Sequence, residues 1–280
     1  MNVEPIDLRH LGRERVICCF RAGDALVDPG PSSCLDTLLD ALDGWEPRRL
    51  LLTHVHLDHA GASGSLVERY PDLQVYVHER GAPHLIAPEK LLASATRLYG
   101  EDMHRLWGEF EPVPEGNLHI LRGGEELDGG WEVEYTPGHA SHHVSFFVED
   151  WAFVGDVGGV RIPPAGIAIP PTPPPDIDLE AWHASLDLVA ARAPGHLALT
   201  HFGPWEDAIL QIADVDRRLD AWAALARDEG EGEWIEHIQT EIERGTDADL
   251  ETAAAFTQAA PPDQLYAGLR RYWATRPPHR

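Results

Sequence analysis

Short apolar runs punctuated by turn-forming residues dominate roughly the first two hundred positions. Residues 16–20 and 25–27 are two such runs, separated by the turn-like cluster Arg21-Ala22-Gly23-Asp24. Together with a sharp turn at Asp28-Pro29-Gly30 they predict an opening β-meander within 1–30. Leu35, Leu38, Leu39 and Leu42 recur at helical spacing, which predicts a helix over 33–42 with Ser32 or Ser33 as its cap. A strand at 50–52, a helix over 64–70 stopped by Pro71, and an alternating strand at 73–77 follow. The order β, β, α, β, α, β points to an α/β layered architecture.

Residues 83–116 break this rhythm. Pro83, Pro88, Pro112 and Pro114 bracket a helical stretch over 89–107, with Leu91, Leu92, Ala95, Leu98, Tyr99, Met103 and Leu106 in register. Such a stripe either covers the core or forms a lid beside a site, with Tyr99, His104 or Trp107 facing a substrate. Further strands are predicted at 118–121, 131–135, 144–148 and 151–154, with glycine-rich turns at Gly123-Gly124 and Asp128-Gly129-Gly130. The glycine- and proline-rich segment 158–175 admits no regular helix or inner strand and reads as a stiff, ordered loop; the proline run 163–175 has no assigned role. Asp178 caps a helix to about residue 193, and 196–199 is one more strand. From Trp205 onward the pattern becomes helical, at about 206–227, 232–244, 247–258 and 262–275, with Ile209, Ile212, Val215, Leu219, Trp222 and Ala226 as one stripe. The expected division is a core domain over 1–205, carrying the 83–116 insertion, and a helical extension over 206–280.

Composition narrows the function classes. Charged residues make up 25% and apolar residues 43% of the 280, ordinary values for a globular chain. The formal net charge of −25 repels nucleic-acid phosphates and anionic membranes, so neither is expected as a partner. No apolar run reaches membrane-spanning length and no signal-peptide pattern opens the chain. The three cysteines, Cys18, Cys19 and Cys34, form no C-x-x-C pair and read as reduced, buried residues of a cytoplasmic protein. A small-molecule substrate is the expected partner, and self-association into a homo-oligomer is compatible with the sequence.

Four apolar runs end in residues that bind metals. Leu51-Leu52-Thr53 leads to His54, with His56, Asp58 and His59 just beyond; 133–136 leads through Pro137-Gly138 to His139; Phe153-Val154-Gly155 leads to Asp156; 197–200 leads to His201. Strand ends at one rim of an α/β layer are where sites form. Imidazole with carboxylate suits zinc, with iron or manganese as alternatives. His54 and His56 flank one residue and can chelate one ion with His139. Asp58 and His59 can reach a second ion with His201, and Asp156 is the candidate bridge. Two such ions about 3.5–4 Å apart would clamp and acidify a hydroxide between them. Thr-His occurs at 53–54 and again at 200–201, a hint of a repeated half-unit.

Thr53-His-Val-His-Leu-Asp-His-Ala-Gly61, Thr136-Pro-Gly-His139, Gly155-Asp156, Thr200-His201 and the early Asp28-Pro-Gly30 turn together resemble the metallo-β-lactamase superfamily over residues 16–203. The resemblance implies a four-layer αββα sandwich with the site at its edge. It implies His54, His56 and His139 on one metal, Asp58, His59 and His201 on the other, Asp156 between them, and Asp58 as the acceptor of the attacking water's proton. His143 stands where the family often has a further histidine that is not a ligand, and His142 where many members have glycine. The implied activity is binuclear hydrolysis of an ester, thioester or lactone, closest to the glyoxalase II-like and lactonase-like branches. Residues 206–260 show no basic cluster for a glutathione carboxylate; Arg270 and Arg271 are the nearest pair in type. A mononuclear iron sulfur dioxygenase and a non-catalytic metal-binding protein are the alternatives. His78, His84, His104, His119, His183, His196 and His237 read as packing or surface histidines.

Overall fold

The fold is described from a computed structural model, over residues 1–276. Two six-stranded mixed sheets face each other. The first runs β1 (Val3–Asp7), β2 (Cys18–Ala22), β3 (Ala25–Val27), β4 (Arg49–Leu51), β5 (Gln74–His78) and β6 (Leu118–Leu121), in that spatial order. The second contains β7 (Glu126–Leu127), β8 (Trp131–Tyr135), β9 (Val144–Val148), β10 (Trp151–Phe153), β11 (His196–Leu199) and β12 (Gly203–Trp205) as neighbours in sequence order.

Side-chain alternation builds the layers. Cys18, Phe20, Val27, Leu51, Trp131, Val133, Phe146 and Phe153 point between the sheets. Cys19, Leu26, Leu50, Val75 and Val77 point the other way, under the helices. The adjacent cysteines therefore lie on opposite faces of β2, both buried and free. The outer layer over the first sheet includes α1 (Leu35–Leu42) and α3 (Ser63–Arg69). Over the second lie α7 (Leu179–Arg192) and then α8 (Ala208–Asp228), α9 (Glu231–Gly245), α10 (Leu250–Ala259) and α11 (Pro262–Ala274). Ile212, Val215, Leu219 and Trp222 of α8 share one buried cluster with Leu186 and Val189 of α7, so the helical tail is continuous with the core. Side chains of Asp178, Asp207 and Asp249 cap α7, α8 and α10 by accepting the N–H of Ala181, Leu210 and Thr252.

Several sequence expectations need correction. The helix over 89–107 is two helices, α5 (Glu89–Tyr99) and α6 (Met103–Trp107), following the short α4 (Ala82–Ile86). The break is at Gly100, whose φ of 54° leaves the helical region. Strands β1 and β12, which no apolar run marks, lie at sheet edges and contain Pro5 and Pro204, which an edge tolerates. Ile209 does not join the α8 stripe; it is 78% exposed.

His183 joins α7 to α8, with Nδ1 2.6 Å from Asp216 and Nε2 3.0 Å from Asp220. Burial disfavours its charge, but the two carboxylates outweigh this and raise its pKa above the ordinary value of 6.5. A raised folded-state pKa gives stability that is complete below the unfolded value and is lost as pH rises through the folded one. His183→Gln should therefore lower the melting temperature most below pH ~6.5, by a free energy of under about 1 kcal/mol for so exposed a pair. Thermal denaturation across pH should show the gap closing as the pH is raised.

Candidate metal centre

The ligand-rich loop begins as soon as β4 ends. Leu52 and Val55 are fully buried and anchor it, and the chain then turns into α2 (Leu57–Ala60), a single turn bearing Asp58 and His59. The rings of His54 and His56 come to the same side, with centroids 4.5 Å apart. His139 follows β8, Asp156 follows β10 and His201 follows β11, so three strands of the second sheet deliver to the rim where β4 ends. Two glycines make these deliveries possible. Gly138 has φ 135°, and a Cβ there would lie 2.3 Å from the Trp182 backbone; at Gly155, with φ 46°, a Cβ would lie 2.4 Å from Thr53 Oγ1.

The seven side chains fall into two groups, His54, His56, His139 and Asp156 in one and Asp58, His59 and His201 in the other, each with donor atoms within 4.8 Å of one another. In the first, His56 Nδ1 lies 3.0 Å from His54 Nε2 and 3.0 Å from His139 Nε2. In the second, His201 Nε2 is 3.3 Å and His59 Nε2 3.7 Å from Asp58 Oδ2. Asp156 divides its carboxylate between them. Its Oδ2 is 3.3 Å from His139 Nε2, and its Oδ1 is 3.2 Å from His59 Nε2 and 3.6 Å from His201 Nε2.

The far nitrogens of four rings are already committed. His54 Nδ1 lies 3.1 Å from Thr53 Oγ1, His59 Nδ1 2.8 Å from Asp28 Oδ2, His139 Nδ1 2.8 Å from the Pro171 carbonyl and His201 Nδ1 2.6 Å from the Val16 carbonyl. The acceptors place the proton on Nδ1 and aim a lone pair on Nε2 inward, the arrangement that orients metal-binding imidazoles. His143 takes a different part: Nδ1 bonds to Thr136 Oγ1 at 2.9 Å and Nε2 accepts the Asp156 backbone N–H at 3.4 Å.

These residues fit a pair of divalent cations on three grounds. His59 Nε2, His201 Nε2 and Asp156 Oδ1 are buried with no hydrogen-bond partner, and such orphans are expensive. The carboxylates of Asp28, Asp58 and Asp156 come together with no Arg or Lys paired to them among the described residues. Buried negative charge of this density needs a cation. Finally, the first group offers neutral imidazole beside an ionised carboxylate. Burial and the neighbouring rings hold His54 well below the ordinary value, and burial with His139 lowers His56 to about 4. Burial opposes ionisation of Asp58, but His59 and His201 overcome it and lower its pKa. Burial likewise opposes charge on His59 and His201, but nearby carboxylates, Asp156 foremost, raise both.

Above the site opens a cavity of about 600 Å³. Leu91, Ala95, Leu98 and Tyr99 of α5 and Trp107 of α6 line it. Of α5 and α6 only Ala95 is buried, so the stripe is a cavity wall rather than core cover. Tyr99 bonds to Gln264 of α11 at 3.3 Å. Four cations, Arg80, Lys90, Arg97 and Arg271, also line the cavity, none of them from 206–260; Arg270 bonds instead to the Ala226 and Arg227 carbonyls. His84, read from the sequence as a packing or surface histidine, lines the cavity too. His10 was missed altogether. It stacks on Trp107 with centroids 5.3 Å apart, bonds to the Leu106 carbonyl at 2.8 Å and meets Gln258 of α10 at 3.2 Å. No local pattern around His10 marks it, because its partners are about 100 and 250 residues away.

Fold and rim together define an α/β sandwich protein with a histidine–aspartate centre where the two sheets meet. The chain belongs to the metallo-beta-lactamase superfamily, whose profile matches residues 20–201. It is 31% identical over 208 residues to a metallo-beta-lactamase fold-containing protein of Sulfurisphaera tokodaii, covering 71% of this chain and 76% of that one. It is 29% identical over 145 residues to the hydroxyacylglutathione hydrolase of Photorhabdus laumondii, but that match covers 50% of this chain and only 45% of the relative. Among solved structures, an archaeal superfamily protein from Sulfolobus tokodaii superposes with a TM-score of 0.71 at 24% identity, covering 96% of this chain and 98% of that one. A protein solved in a di-iron-bound form, TTHA1623, matches with a TM-score of 0.53 at 28% identity, over 68% of this chain and 87% of its own.

Asp28 sits behind the centre and holds both Thr-His pairs. It accepts the Thr53 N–H, the hydroxyls of Thr53 and Thr200, and His59 Nδ1–H, at 2.7–2.9 Å. Asp28→Ala should lower metal affinity about 10–100-fold, by freeing the His59 ring and its tautomer. It should also destabilise the metal-free protein by about 3–5 kcal/mol, since it leaves buried partners unpaired. Metal titration and denaturant unfolding of the same preparations measure the two effects.

Proposed function

We propose that this protein is a binuclear metal-dependent hydrolase acting on an ester, thioester or lactone bond of a small molecule. The observation that carries this reading is the divided carboxylate of Asp156, with His54, His56 and His139 on one side and Asp58, His59 and His201 on the other. Two divalent ions held by these groups would supply a nucleophilic water near neutral pH and polarise the scissile carbonyl. Zinc and iron both suit the donors, and the di-iron-bound relative supports iron as a candidate beside zinc.

The chain's own part is positioning and proton handling. Asp58 is 21% exposed by side chain and lines the cavity, whereas the His59 and His201 side chains beside it are at most 2% exposed. Its carboxylate is the group able to take a proton from an attacking water and return it to the leaving oxygen or sulfur. The walls from α5, α6, α11 and the proline loop enclose a volume of small-molecule size. Net charge of −25 disfavours nucleic acid as the substrate. The hydroxyacylglutathione hydrolases, as relatives, support thioesters within the range. A complete second group, Asp58, His59 and His201, favours this reading over a mononuclear iron dioxygenase. The buried free cysteines suit a reducing compartment such as the cytoplasm.

Metal analysis followed by a panel of ester, lactone, thioester, phosphodiester and β-lactam substrates tests the proposal. Two ions per chain and turnover of a carbonyl ester, thioester or lactone are expected, with kcat about 10²–10⁴-fold lower in Asp58→Asn. A single bound iron with thiol-dependent oxygen uptake, or full activity in Asp58→Asn, would overturn it.

A further inference from the structure

His142 belongs to neither donor group, yet it is held among them. It lies on the β8–β9 loop three residues after His139 and is 8% exposed. Its ring stacks on His54 with centroids 6.1 Å apart and planes 15° apart, and meets His56 edge-on at 5.8 Å. His84 approaches from another side, at 6.5 Å. The Val55 backbone N–H donates to His142 Nδ1 at 3.4 Å, and Val55 is fully buried between His54 and His56. That bond keeps the lone pair on Nδ1 and the proton on Nε2.

Nε2–H has no acceptor among the described residues. The ring lines the same cavity as His56, Asp58, Asp156 and His201, and its small exposed area opens there. A donor so placed is satisfied by whatever occupies the cavity. Its position is set by the segment that carries His54 and His56, so it stays in register with them.

We propose that His142 is a catalytic hydrogen-bond donor, its Nε2–H binding the substrate's carbonyl oxygen as negative charge builds on it. This rests on the hydrolase reading above. In the step assigned, the oxygen of water bonds to the carbonyl carbon while Asp58 takes the water's proton. The carbonyl π pair moves onto its oxygen, where His142 donates without losing its own proton. When the pair returns, the bond to the leaving oxygen or sulfur breaks, and that atom receives the proton from Asp58. Glycine at this position could supply no such donor.

The test compares wild type, His142→Ala and His142→Gln, each loaded with metal, using 4-nitrophenyl acetate as substrate and phenylphosphonate as a tetrahedral oxyanion probe titrated by calorimetry. In His142→Ala, kcat should fall about 100-fold with KM little changed and metal content equal to wild type. Phenylphosphonate affinity should fall in parallel, as for a group that favours the transition state. His142→Gln, which keeps a neutral N–H donor, should recover much of both. Loss of metal in step with activity would make His142 a metal-positioning residue, and unchanged kcat and phosphonate affinity would remove its role; either overturns the proposal. A metal-loaded wild type that turns over no carbonyl substrate would instead remove the hydrolase reading, and the phosphonate titration would still decide whether His142 donates to an oxyanion.

Discussion

One buried carboxylate organises the rim of this molecule. Asp28 stands at the end of β3 and takes hydrogen bonds from Thr53, His59 and Thr200. Thr53 follows β4 in the first sheet and Thr200 follows β11 in the second, so a single side chain ties the two sheets together behind the metal-binding groups. With φ at 49°, Asp28 occupies a backbone conformation that aspartate tolerates better than most residues. A carboxylate with no Arg or Lys beside it is tolerable there because every hydrogen bond it receives is also a positioning bond. The hydroxyls of both Thr-His pairs bond to this same carboxylate.

From that anchor the centre is built outward. The inward-facing side chains sit on strand ends and on one turn of helix, fixed by backbone carbonyls of Val16 and Pro171 and by Thr53. The cavity walls come from elsewhere: two helices with a glycine break between them, a proline loop and the helical tail. Pro171 serves both levels, since its carbonyl orients His139 and the residue also lines the cavity. In a chain with 47 acidic and 22 basic residues, a wall bearing Arg80, Lys90, Arg97 and Arg271 departs from the overall charge.

Much of the core was legible because its signals are local. Alternation along 131–135 and the apolar runs at 50–52, 144–148 and 196–199 mark strands whose faces are buried on both sides or between sheets. The edge strand β6 was legible at 118–121, but β1 and β12 show no apolar run of their own, since a half-solvated edge containing Pro5 or Pro204 has no apolar pattern to show. The single helix over 89–107 failed at Gly100, because periodicity on either side of one glycine stays in phase although the backbone turns. The α5 stripe was ambiguous for a different reason: apolar residues facing a cavity and apolar residues facing a core have the same spacing.

The sequence by itself determined the strand-borne candidate ligands and their order, because each follows an apolar run that must be buried, and what comes just after a buried strand lies at a sheet rim. Only the tertiary structure decided how Asp156 divides its two oxygens, which imidazole nitrogen faces inward, and that His10, His84 and Arg271 line the same cavity. Those facts depend on side-chain direction and on contacts spanning up to about 250 residues, such as His10 with Gln258. No periodicity along the chain records a distance of that kind.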